Sequence, residues 1–424
     1  MSKSEKTKKN ELNSTKNTKK LKIILFGLLI VLILAVAAAL YIFIPSKNFI
    51  IAFYGISDKQ QQGITSVIEN IAQEKNLTIN FVQYDSEKSL ASQIPISRKP
   101  NILFTTSGEP ARTAIEKSQK KAGVSAEIIS GMTSSMRGTV TNSSIKGKVI
   151  SLPILSSHFE VDIATQNFRA STIESINTWN DVEKFIANQK TIIEAPVIFA
   201  GADADLMLDL FGAFAESLDG AESYKSAARI ISEGTKSFNA TRIAENLCDN
   251  PDSPLATTVK TLSSWYAKGF IHPGVFSFKN NDVEAFASKN LAAVFFIPLE
   301  THRSFSSRTI SQFTSVYFPS EISPNARVFT GTTYLAINLA KAKQSEILLS
   351  EMMKPEKQEN LSRATGMAPV LMQCRTPDKQ ADEARYWIAA TTSPFAGLSN
   401  EVFLTNDQKT AIVGEIAEKI RRKK

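Results

Sequence analysis

The chain has 424 residues, two cysteines, three histidines and a formal net charge of +8. Its length exceeds what one core usually fills, so more than one folded unit is expected. No disulfide staple is needed at this size, and the charge does not point to nucleic acid, because it sits at the two ends.

Residues 1–22 carry eight lysines against two glutamates, about +6 in a polar segment without apolar periodicity. That composition predicts a disordered tail. Residues 23–44 read IILFGLLIVLILAVAAALYIFI, without a charge. As a helix they span roughly 33 Å, enough for a hydrocarbon core of ~30 Å. The lysines in front predict a cytoplasmic N-terminus and a large external domain. Ala35-Val36-Ala37 imitates a cleavage site, but the long lead and long apolar core favour an uncleaved signal anchor. No cysteine follows the span to carry a lipid, since the first is Cys248. Removing the tail and the five basic residues of 419–424 leaves a body of about −3.

Pro45 ends the span, and Phe49 to Tyr54 reads as a buried strand. Ser57 or Asp58 caps a helix whose Ile64, Val67, Ile68 and Ile71 follow a 3.6 period. Leu77 to Val82 alternates as a strand, and Asn101 to Phe104 is a second buried one. A loop, Thr105 to Glu109, leads into a helix at Pro110. This strand–helix alternation predicts parallel pairing with right-handed crossovers. Ligands in such sheets bind beyond the strand carboxyl ends. Tyr54 and the Ser107-Gly108-Glu109 loop are therefore candidate contacts, against the plainer roles of core ring and ordinary turn.

Further along, Thr178 begins a capped helix, and Asp205 to Leu218 is amphipathic through Leu206, Leu210, Phe214 and Leu218. Leu291 to Ile297 is an apolar strand. Val328 to Leu339 contains another, Lys341 to Met353 is a helix, and Asp407 to Ile420 is the last. Asp203 and Asp205 precede a helix, as a cap and first-turn acid or as site carboxylates. Glu300 is a ligand contact or a solvated acid. Phe159 can stack in a cleft or fill a core, and Trp179 and Trp265 are expected to pack helices. His158, His272 and His302 lack metal-ligand spacing, and no catalytic, phosphate-loop or dinucleotide signature is present. No cofactor and no metal are expected.

Four stretches carry a resemblance. They are 147–153 (GKVISLP), 177–182 (NTWNDV), 265–271 (WYAKGFI) with 286–294 (FASKNLAAV), and 330–337 (TGTTYLAI) with 365–369 (TGMAP). In this order and spacing they resemble the extracellular solute-binding proteins of ABC importers, in the group that includes sugar binders. The resemblance covers about 49–424 and implies an α/β, two-lobe, type II periplasmic-binding-protein-like ectodomain with hinge-crossing strands. The lobes are expected as 49–156 plus 332–375 and 157–331 plus 376–424.

It further implies a small polar solute, carbohydrate included, held between the lobes for an ABC permease, with no catalysis. The first lobe would supply Tyr54, Ser107, Gly108 and Glu109, with Thr332 and Tyr334 on the returning strand. The second would supply Phe159, Asp203 and Glu300. Ser156, Ser157, His158 and Gly331 would form the hinge. Glu300 sits about where many sugar binders of the family place a stacking Trp. A degenerate module used as sensor or scaffold, and a hydrolase using Asp203 and Glu300, remain the alternatives.

Overall fold

The computed structural model describes residues 49–97, 99–119, 122–133, 136–137, 144–145, 148–165, 176–316, 318–321, 331–375, 382–383, 386 and 396–422. The tail 1–22 and the expected span 23–44 lie outside them. Among the described residues no helix is long and apolar enough to cross a membrane.

The first lobe begins with β1 (Phe49–Tyr54), nearly all buried. The Ser57 hydroxyl caps α1 (Asp58–Lys75) by accepting from the Gln60 amide, and Asn76 ends it in the left-handed region. Ile64, Val67, Ile68 and Ile71 are the buried stripe of α1. β2 (Ile79–Gln83) and β3 (Ile102–Thr106) both pair parallel with β1, as the crossover connections require. α2 (Glu109–Lys117) follows β3.

β4 (Ser151–Ser156) belongs to the same sheet, and the chain then passes directly into β5 (Phe159–Ala164) of a second sheet. The second lobe continues with α3 (Trp179–Gln189), set by a capping box between Thr178 and Asp181. Next come β6 (Val197–Phe199), α4 (Ala204–Asp219), β7 (Val294–Pro298), the one-turn α5 (Leu299–His302) and β8 (Phe313–Val316). β9 (Thr333–Asn338) returns to the first sheet, antiparallel to β3 and β4, and β10 (Ala368–Pro369) closes its edge. α6 (Leu398–Glu401) and α7 (Asn406–Arg422) pack on the second lobe.

The sheets run β10-β4-β9-β3-β1-β2 and β8-β5-β7-β6. Apart from the edge strand β2, the first is buried on both faces. Ile51, Phe53 and Phe104 join α1 in one core, while Ala52, Tyr54 and Leu103 join α2 in another. The second core is aromatic: Trp179 stacks on Phe214 at 4.8 Å, and Trp265 stacks on Phe296 at 6.4 Å. Each such ring contributes on the order of 1.5–3 kcal/mol by burial. The Trp179 indole also donates to Ser217 Oγ at 2.6 Å. Cys374 lies in the first-lobe core and Cys248 in the second.

Candidate functional site

Where the lobes face each other there is a cavity of about 380 Å³. The first lobe contributes Gly55, Ser57, Gln83 and Thr106 to its wall; the second contributes Asp203, Asp205, Asp209 and Glu300. Thr332 and Tyr334 of the returning strand form its floor, and Ser399, Asn400, Asn406 and Lys409 close the side. A larger hollow of about 580 Å³ lies on the first lobe alone, against residues 124–131, Glu346 and Met353. Lobe movement cannot close that hollow, so the inter-lobe cavity is the candidate site.

Its floor is the crossing. The Ser157 amide donates to Thr332 O at 2.8 Å, and the Ser107 amide donates to Thr333 O at 2.8 Å. The Ser156 and Thr333 hydroxyls meet at 3.3 Å. Gly331 allows this approach: a Cβ there would stand 2.3 Å from Ser157 O and 2.5 Å from His158 Cα. The His158 carbonyl accepts from the Leu299 amide at 3.1 Å, tying α5 to the same crossing.

The wall is acidic. Asp203 is the N-cap of α4 and accepts from the Leu206 amide at 3.1 Å. Burial raises its carboxyl, and the Leu206 amide only partly offsets this. Asp209 accepts from the Ser399 amide at 2.8 Å, and burial pushes it up to about 7. Glu300 is raised by burial against the stabilising hydroxyl of Ser157. Burial also raises the Tyr334 phenol, with Glu300 adding to the effect. Lys409 pairs with Asp205 at the rim. Such a surface accepts hydrogen bonds from hydroxyls or ammonium groups, and among the described residues its one lining aromatic is Tyr334.

The residues expected from the sequence divide here. Asp203, Glu300, Thr332 and Tyr334 share the cavity wall. Tyr54 does not line it. The ring joins the core between β1 and α2, and its hydroxyl donates to Lys88 O at 3.1 Å. A strand end fixes where a residue sits but not which face it takes, and both faces of this sheet are buried. Phe159 pairs in register with Pro298 and fills the second-lobe core.

The 107–109 loop also has another task. Gly108 adopts φ +94°, and a Cβ there would stand 2.2 Å from Asn400 O of the opposite lobe. Glu109 accepts from the Thr113 hydroxyl at 2.6 Å within α2. Thr106 Oγ1 donates to Asn400 Oδ1 at 3.1 Å, and Arg112 Nη1 reaches Glu401 Oε2 at 2.9 Å. The loop thus docks the first lobe onto α6.

Sequence reasoning missed Asp209, Lys409, Ser399 and Asn400. Asp209 alone left a signal, as an acid beside the apolar stripe of a buried helix. The others reach the cavity through tertiary packing.

No family model matches the chain, and no curated protein matches it in sequence. Solved structures do match. The bacterial solute receptor AcbH, described as exclusive for β-D-galactopyranose, superposes with a TM-score of 0.67 at 11% identity, over 88% of this chain and 92% of that one. A chitin oligosaccharide binding protein gives 0.61 at 14% identity, over 88% and 97%. RafE in complex with raffinose gives 0.58 at 10% identity, over 88% and 98%. At such identities the likeness speaks for architecture alone. Two α/β lobes, crossing strands and an inter-lobe cavity together give this chain the fold of the bacterial sugar-binding solute receptors.

Proposed function

We propose that this chain is a solute-binding protein, tethered to the cytoplasmic membrane by residues 23–44, that captures a small polar solute for an ABC permease. One observation carries the reading: a single cavity takes its walls from both lobes and its floor from the strands that cross between them. A solute touching both walls stabilises the closed arrangement over the open one by its differential contacts. The cavity volume suits a compact ligand rather than a polymer. Carboxylates at Asp203, Asp209 and Glu300 match a hydroxyl-rich solute such as a mono- or disaccharide, in line with the sugars named for the similar structures.

Binding rather than turnover is proposed, because Asp203 and Glu300 each already serve a structural partner, the α4 amides and Ser157. The position of Glu300 in the wall, where a stacking ring would suit a sugar face, favours one second reading: a module that senses solute or scaffolds a complex without delivering cargo.

The test is a thermal-shift series with galactose, raffinose, chitobiose and glucosamine. A bound solute stabilises by RT ln(1 + [L]/Kd), about 2.7 kcal/mol at a hundredfold excess over Kd. Transport is tested separately, by uptake of that solute in cells with and without the chain. Binding without an uptake defect supports the sensor reading. For the tether, protease added to intact spheroplasts should digest the body and spare residues 1–20; a mature N-terminus at Ala38 would remove the anchor.

A further inference from the structure

The second lobe holds a group of polar side chains that the cavity does not use. β5 presents Glu160 and Asp162 on one face, two residues apart. Ser315 of β8 is the register partner of Asp162. On the other side Glu160 and Asp162 register with Ile297 and Phe295 of β7, and α5 follows β7 at once with His302 in its last position. Pairing and one helical turn therefore bring four donors together.

Their spacing is tight. His302 Nδ1 is 2.9 Å from Asp162 Oδ1 and 3.0 Å from Glu160 Oε2. Ser315 Oγ is 2.6 Å and 2.8 Å from the same two oxygens, and 3.4 Å from Nδ1. Glu160 and Asp162 are 0% exposed, His302 1% and Ser315 6%. With both carboxyls ionised, at most two hydrogens, one on Ser315 and one on Nδ1, lie among these contacts. Asp162 Oδ2 and His302 Nε2 are buried with no hydrogen-bond partner among the described residues. His158 Nε2 stands 3.9 Å from Glu160 Oε1, and the Arg303 charge also favours ionised Glu160.

We propose that Glu160, Asp162, His302 and Ser315 form a buried structural site for a divalent transition-metal ion of the zinc type. An ion with bonds of ~2.0–2.2 Å in tetrahedral geometry holds its ligand atoms roughly 3.3–3.5 Å apart. From spacings of 2.6–3.4 Å, the tightest pair would open by about 0.7–0.9 Å to reach that. One imidazole with oxygen donors suits Zn²⁺ or Mn²⁺. Four donors are too few for Ca²⁺, and Mg²⁺ keeps waters for which a sealed interior has no room. The two carboxylates balance the charge of the ion, which removes the cost of burying them with a single imidazole. The site would join β5, β8 and α5, and so brace the crossing that carries Ser157 and Glu300. It was invisible to motif spacing because His302 lies 142 residues from Glu160.

The test uses the untagged full-length chain, purified without chelator. Elemental analysis should find roughly one equivalent of zinc or manganese per chain. Removal by dipicolinate should lower the melting temperature by several degrees, and Zn²⁺ should restore it. Co²⁺ added to the stripped protein should give the intense visible bands of a tetrahedral site. Asp162→Asn, which keeps the shape, should lose at least tenfold in metal affinity. A chain that purifies metal-free, and whose melting does not respond to Zn²⁺, Mn²⁺ or Co²⁺, overturns the proposal and leaves a proton-held triad. Undiminished metal binding in both Asp162→Asn and His302→Gln overturns it too. The wild-type measurements decide the matter even where a variant fails to fold.

Discussion

The Ser157 hydroxyl donates to the Glu300 carboxylate, so a residue of the crossing strand is bonded directly to the cavity wall. On the proposed function, a ligand that engages Glu300 would thereby act on the crossing at Ser157. Ser157→Ala leaves a buried carboxylate short of a donor and should cost about 1–3 kcal/mol. Urea denaturation of Ser157→Ala, Glu300→Gln and the double variant forms a cycle. A coupling near zero would mean that the two residues are energetically independent.

Asp209 supplies a pH prediction. Burial raises its carboxyl from 3.8 to about 7, so the folded state prefers the protonated form. The stabilising contribution is full below the unfolded pKa and is lost as pH rises through about 7. Shifts of this size correspond to an upper bound on the order of 4 kcal/mol. Asp209→Asn should flatten the stability profile between these values and make the protein more stable than wild type at pH 8. An unchanged profile, measured by chemical denaturation across that range, would remove the assignment.

Gly108 faces Asn400 across the lobes with a positive φ. Gly108→Ala adds backbone strain of about 1–3 kcal/mol and pushes α6 away. The expected result is a larger radius of gyration by small-angle X-ray scattering, with both lobe cores intact by hydrogen exchange. A compact variant indistinguishable from wild type would show that this contact does not hold the lobes together.

Arg112→Ala removes the ion pair with Glu401, whose arginine is largely exposed. Its effect on stability should stay below about 1 kcal/mol and shrink in high salt. A loss of several kcal/mol at high salt would mean that the pair does more than trim lobe contact.

How far the sequence was legible depended on whether a feature is local. Ser57 with the Ile64–Ile71 period marked α1, and Thr178 with Asp181 marked α3, because caps and periods are written in adjacent residues. The parallel core of β1, β2 and β3 followed from element alternation. Asp203, singled out as an acid preceding a helix, and Glu300, singled out from the resemblance, both line the cavity. Tyr54 was misread because a strand buried on both faces has no alternation to show which way a ring points. Asn400 and Ser399 left no trace, since their place at the cavity comes from α6 packing against Asp209 of α4 and Thr106 of the first lobe. His302 was set aside because its partners are on strands distant in sequence.

The central claim, that the inter-lobe cavity binds a small polar solute, is tested most directly by calorimetric titration of the saccharide and amino-sugar panel into wild type and into Asp203→Asn/Glu300→Gln. The expected result is one-to-one binding of one solute class to wild type, with at least a tenfold loss of affinity in the double variant, which still unfolds cooperatively. No binding across the panel, or full affinity in the double variant, would contradict it.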